Sequence, residues 1–229
     1  MSDLSRLVDT LGRTSGPALT WYGEERVELS GPVLARWLAK TANLLGGDLS
    51  PDLFGGVGPG SAGTLRLGLG ATWQAAVWEV AARLSGWQVI DEGGADVCVV
   101  ADARAAAEAL DNGAAWVLAQ DLGALSLSWR AGGLPAGVLD ALTELAAQAD
   151  ALEVEPGDVG WPGEWGPAVE VPPGTRRLLT MGGADTGRSH LVGTLAGLWT
   201  SAGSAVVVDR GRRPDDVARI AEVERALAQ

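Results

Sequence analysis

Residues 182–189 have the spacing of a phosphate cradle. Gly182-Gly-Ala-Asp-Thr-Gly-Arg-Ser189 fits G-x-x-x-x-G-[K/R]-[S/T]. Glycines let backbone N–H groups turn toward an anion, a cation neutralises it, and a hydroxyl completes the cradle. Gly182, Gly183, Thr186, Gly187, Arg188 and Ser189 would bind the phosphates of a nucleotide such as ATP, with magnesium. Arginine stands where a P-loop has lysine, and its planar fork differs from a compact ammonium. Asp185 places a carboxylate inside the cradle, and Asp209 ends the next expected strand. The plainer reading is an ordinary exposed βα loop, with Thr186 or Ser189 capping a helix.

Other reactive side chains are sparse. His190 is the only histidine, so it has no second imidazole for a metal, and adjacent Ser189 does not face it on a helix. Cys98, the only cysteine, lies in the apolar run Asp96-Val-Cys-Val-Val100 and reads as a buried strand residue. Lys40, the only lysine, falls with Arg36 and Asn43 on the polar side of a helix. The opposite side carries Leu34, Trp37, Leu38, Thr41, Leu44 and Leu45, so patterning makes Lys40 a solvated surface residue.

The elements that position these residues alternate. A helix is expected over 4–12, strands over 18–22 and 26–29, and a helix capped by Ser30 with Pro32 in its first turn. After a Gly/Pro-rich stretch over 55–63 come a strand over 65–69 and a helix over 72–85. That helix is apolar nearly all round, with Glu79 and Arg83 spaced as a pair. Runs at 87–90 and 97–100 read as strands buried on both faces. Asp102 caps a helix over 103–111, and strands are expected at 115–119 and 125–129. Pro135 opens a helix in which Val138, Leu139, Leu142, Leu145 and Ala149 share a face. Residues 153–174 break the rhythm with five acidic residues, five prolines, and Trp161 and Trp165. A strand at 177–180, a helix over 189–201, a strand at 205–209 and a helix over 214–227 follow.

This pattern predicts an α/β fold with mostly parallel sheets and helices on both faces. We divide it into an α/β subdomain over 1–150, an acidic Pro/Trp-rich connection over 151–174, and a βαβα subdomain over 175–229. The net charge of −12 speaks against nucleic acid and anionic membrane surfaces. Met1-Ser-Asp-Leu-Ser lacks a cationic, apolar leader, which leads us to expect a cytoplasmic location.

Ala18-Leu-Thr-Trp-Tyr-Gly23, the 34–45 helix, Gly58-Pro-Gly60, Leu65 to Leu69, Trp73 to Leu84 and Gly86-Trp-Gln-Val-Ile90 together resemble the N-terminal part of the adenylate-forming superfamily. That superfamily includes acyl-CoA synthetases, luciferases and nonribosomal adenylation domains. Arg177-Leu-Leu-Thr180, Leu191 to Leu195 and Ala202 to Val208 resemble a later stretch of it. The resemblance, shared with truncated actinobacterial proteins of this kind, implies the fold of its N-terminal subdomains. It also implies that His190 and Gly193 line a former acyl pocket. The family's phosphate loop is rich in Ser, Thr and Gly and ends in Pro-Lys. The corresponding interval here, 150–165, holds Glu153, Glu155, Asp158 and Glu164 instead. Two like charges about 4 Å apart repel by roughly 4 kcal/mol at an effective dielectric of 20. The sequence ends before the family's Tyr-Gly-x-Thr-Glu stretch and C-terminal lid.

The expectation is therefore a non-catalytic descendant with no cofactor, kept as a module for a protein partner or for self-association. The alternatives are a nucleotide-binding protein using the 182–189 loop and a small-molecule binder retaining the acyl pocket.

Overall fold

The computed structural model describes residues 3–50, 63–124, 126–154, 172, 174–180, 188–209 and 211–227. The stretches 55–63 and 153–174, read from sequence as loops, lie largely outside them.

The described chain divides into two compact units. Asp3–Arg36 group with the described part of Trp161–Gln229, and Trp37–Gly160 form the second unit. Sequence order alone keeps residues 3–36 with the rest of 1–150. The strand pairing shows why they fall elsewhere.

In the first unit, β1 (Pro17–Tyr22) pairs antiparallel with β2 (Arg26–Ser30) and parallel with β9 (Ser204–Val208). β8 (Arg176–Thr180) lies parallel to β9 on its other side, giving the order β2-β1-β9-β8. Buried and exposed residues do not alternate along β9. Ala205 to Val208 are all buried, as in a strand covered on both faces. On one face Leu178, Val206 and Val208 pack on Ile220 of α7 (Pro214–Val223). α6 (Arg188–Thr200) contacts β9 and packs on α1 (Asp3–Arg13). The buried Trp199 indole N–H donates to the Ala18 carbonyl at 3.2 Å. The turn from β2 into α2 (Gly31–Gly46) is tight against α1, where a Cβ on Gly31 would stand 2.5 Å from the Thr14 carbonyl oxygen and would also strike that of Leu11.

In the second unit, β3 (Thr64–Gly68), β4 (Gln88–Ile90), β5 (Val97–Val100), β6 (Trp116–Ala119) and β7 (Val138–Asp140) form an all-parallel sheet of order β4-β3-β5-β6-β7. α3 (Trp73–Leu84) joins β3 to β4, and α4 (Ala103–Asp111) joins β5 to β6. These crossovers leave the centre in opposite directions, so right-handedness puts the helices on opposite faces. The packing agrees. Leu65, Leu67, Val97, Val99 and Leu118 meet Ala75, Trp78 and Ala82 of α3, whereas Cys98, Val100 and Val117 meet Ala106 and Ala109 of α4.

α3 is buried throughout except at Arg83, whose Nε lies 2.9 Å from Glu79. The expected cap forms at Asp102, which accepts from the Ala105 N–H at 2.8 Å.

Four expectations are corrected. The 87–90 run ends in an edge strand, with Gln88 exposed and Val89 and Ile90 half-buried. Among the described residues of 125–129 there is no strand, and Leu127 is 87% exposed. Val138 and Leu139 belong to β7 rather than to a helix opened by Pro135. Asp140 then caps α5 (Ala141–Ala147), accepting from the Leu142 N–H at 3.0 Å. Lys40 and Asn43 are not on a solvated face, as described below.

Gly31→Ala should destabilise the protein by about 3 kcal/mol, because the atoms it would strike are backbone carbonyls that cannot rotate away. Gly12→Ala, in α1 with open space around it, should instead stabilise by about 0.5–1 kcal/mol. Urea unfolding of the two variants checks both signs.

Candidate functional site

The cradle read from sequence has the flanks that such a motif needs. β8 ends at Thr180 and α6 starts at Arg188. Gly182, Gly183, Thr186 and Gly187 lie outside the described residues. Arg188, Ser189 and His190 form the first turn of α6, and Gly193 follows in the same helix. Asp209 directly follows β9, whose register pairs Val208 with Thr180, so it stands at the sheet edge where β8 ends. It is exposed, and its N–H donates to the Tyr22 carbonyl at 3.1 Å.

In parallel sheets, chemistry gathers beyond the carboxyl ends of the strands where the order reverses. In the second unit that point lies between β3 and β5. Several polar groups there and along the same edge are engaged in local structure. Thr72 accepts from the Ala75 N–H at 3.2 Å and caps α3. Asp102 caps α4 and Asp140 caps α5. Asp121 accepts from the Gly123 N–H at 3.0 Å, the Arg130 N–H at 3.2 Å and the Ser126 hydroxyl. Burial of the Asp121 carboxyl works against ionisation, but these hydrogen bonds outweigh it and lower its pKa. The buried Trp78 indole donates to Gln120 Oε1 at 3.2 Å, and Gln74 donates to the Leu122 carbonyl at 3.0 Å. No group of three or more potential metal ligands occurs among the described residues.

Lys40 is tied down. Its side chain is 19% exposed, its Nζ lies 3.0 Å from Asp150 Oδ1, and it donates to the carbonyls of Ala146 and Gln148. Asn43, one turn on, is 4% exposed. Its Nδ2 donates to the carbonyls of Ala149 at 3.3 Å and Ala151 at 2.8 Å, and its Oδ1 accepts from the N–H groups of Glu153 at 2.8 Å and Val154 at 3.3 Å. The face that patterning gave to solvent instead carries the chain that follows α5. Helical spacing shows which residues share a face, and polar types do not distinguish water from backbone as the neighbour.

A charged cluster around Glu224 was not legible in the sequence. Glu224, at the end of α7 with a side chain 9% exposed, accepts from the Tyr22 hydroxyl at 2.6 Å, Arg26 Nη2 at 2.9 Å and Arg176 Nη2 at 2.6 Å. Arg176 also donates to Thr20 Oγ1 at 3.0 Å. Burial disfavours the Glu224 carboxylate, yet three hydrogen bonds and the adjacent guanidinium hold its pKa at about 2. Burial and the same carboxylate push the Tyr22 phenol up. The cluster fastens α7 across β1, β2 and β8.

Glu224 is held below its ordinary value, so its contribution is present above about pH 4.5 and is lost as the pH falls toward 2. The fall from 4.5 to about 2 corresponds to at most about 3 kcal/mol. Urea unfolding of Glu224→Gln should show lower stability at pH 7 and a shallower decline between pH 5 and 2 than the parent chain.

No protein-family model matches the chain. It is 37% identical over 158 residues to a TIGR03089 family protein of Mycobacterium tuberculosis, a match covering 63% of this chain and 59% of that protein. Among solved structures it is similar to an acyl-CoA synthetase of Brucella canis (TM-score 0.64, 15% identity, 99% of this chain and 46% of that one). It is also similar to the amide bond synthetase McbA of Marinactinospora thermotolerans (0.57, 18%, 97% and 48%). A third likeness is to the N-terminal domain of FACL13 of Mycobacterium tuberculosis (0.55, 14%, 99% and 62%). The chain thus spans 59% of the curated relative and about half the length of the two synthetases. Over nearly all its length it has the fold of the N-terminal region of acyl-CoA synthetases and related AMP-binding enzymes.

Proposed function

We propose that this chain is a binding module with the architecture of an adenylate-forming enzyme's N-terminal domain, and that by itself it makes no acyl adenylates. The observation that carries the reading is the state of Lys40. Forming an acyl adenylate brings a carboxylate against a triphosphate, and fixed cations must offset the gathered negative charge. The chain's one lysine commits its ammonium to two backbone carbonyls and Asp150. The interval corresponding in position to the family's phosphate loop carries Glu153, Glu155, Asp158 and Glu164, which repel phosphate. The module needs no cofactor, and its ligand is a protein partner or a second copy of the chain.

A second reading is favoured by one observation. The 182–189 motif follows β8 and ends in the first turn of α6, the order in which a phosphate cradle is built. In that reading the loop binds a nucleotide's phosphates through Arg188, and Arg188→Ala removes the binding.

ATP–pyrophosphate exchange with the purified chain and a panel of aliphatic and aromatic carboxylic acids separates these readings from catalysis. We expect no exchange above the protein-free rate with any acid, and exchange with even one acid overturns the proposal. Thermal unfolding with magnesium and ATP addresses the second reading. Ligand at 100 times its Kd stabilises by about 2.7 kcal/mol, so an unchanged midpoint at millimolar ATP removes it.

A further inference from the structure

We propose that residues 146–154 form a strap that opens and closes as one piece on α2, with Lys40 and Asn43 as its latch. The inference deepens the reading of Lys40 as a structural cation.

α5 ends at Ala147, and the last carbonyls of any helix lack partners within it. The Lys40 ammonium meets this need at Ala146 and Gln148, where a cation also complements the negative end of the helix dipole. Asp150 adds an ion pair whose carboxylate is 63% exposed. Asn43 occupies both ends of its amide, donating to Ala149 and Ala151 and accepting from Glu153 and Val154. Gln148 Nε2 donates to Asp48 Oδ2 at 2.8 Å beyond the end of α2. Gly46 completes the seat, since a Cβ there would stand 2.8 Å from Val154 Cγ1.

Among the described residues, the strap pairs with no strand. Beyond α5, residues 148–154 are exposed or half-buried, so little apolar surface holds them down. The neighbouring sheet is fully buried at Val97 to Val100 and Val117 to Ala119. Segments fixed by a few polar contacts, with little apolar burial, open at lower free energy than the core beside them. The latch residues sit three positions apart on one helix and hold consecutive parts of the strap. Loss of one set of contacts therefore loosens the other, and the segment moves as a unit.

The single lysine makes the test direct. Acylation of Lys40 by an N-hydroxysuccinimide acetate, followed by peptide mass, reports strap opening without interference from other lysines. In the wild-type chain we expect acylation at least 10-fold slower than in an unstructured peptide of residues 36–44. Asn43→Ala should raise the rate at least 5-fold, with hydrogen exchange at 97–100 and 117–119 unchanged. Wild-type Lys40 reacting at the peptide rate overturns the proposal, as does a gain in Asn43→Ala shared by the sheet amides. The urea dependence of wild-type acylation needs no variant. A slope well below that of global unfolding supports the strap, and an equal slope overturns it. Pyrophosphate exchange by a chain whose Lys40 stays protected would remove the proposed function and leave the strap standing.

Discussion

A buried amide and a nearly buried ammonium on one turn of α2 constrain much of the second unit. Asn43 is 4% exposed, so each of its hydrogen-bonding groups must find a partner or cost about 1–3 kcal/mol. Lys40, with a side chain 19% exposed, carries a full charge that needs compensation. The backbone after α5 supplies what both require. These bonds hold residues 146–154 along α2, where Val154 comes within 2.8 Å of the place a Cβ on Gly46 would take. The same helix contributes Leu44 and Leu45 to the core cluster that includes residues of α3 and β3. α2 is thus a helix with two occupied faces, one apolar and one polar.

The distribution of charge elsewhere follows a similar logic. Carboxylates at the carboxyl ends of the parallel strands mark the zone where enzymes of this architecture do chemistry. In this chain Asp102 and Asp140 cap helices and Asp121 organises the turn after β6. Glu224 joins β1, β2 and β8 to the last helix through a phenol and two guanidiniums. These acids stabilise the fold by accepting bonds from groups already fixed in place. A carboxylate with its lone pairs occupied by its own loop is poorly placed to hold a metal or to move a proton.

The fold was legible because parallel sheets demand continuous apolar strands and short, punctuated crossovers. The Val-Cys-Val-Val run and the cap at Asp102 specify their elements locally. Val138 and Leu139 misled because a three-residue strand and the first turn of a helix present the same apolar residues, and only the pairing with Val117 and Leu118 decides between them. Leu127 suggested a strand by type, yet Ser126, Trp129 and Arg130 are held in a turn by Asp121 and Asp140. The Glu224 cluster joins residues about 200 positions apart, and Lys40 meets its partners more than 100 positions away, so neither has a local signature. Of the 182–189 motif, the described residues show only that β8 ends before it and that α6 begins at Arg188.

The account stands on Lys40 serving the fold rather than an anionic ligand. Equilibrium unfolding of Lys40→Met, which keeps most of the stem and removes the ammonium, tests this most directly. The account predicts a loss of about 1–3 kcal/mol, the usual cost of leaving carbonyls held away from water without their donor. Stability equal to that of the parent chain would contradict it.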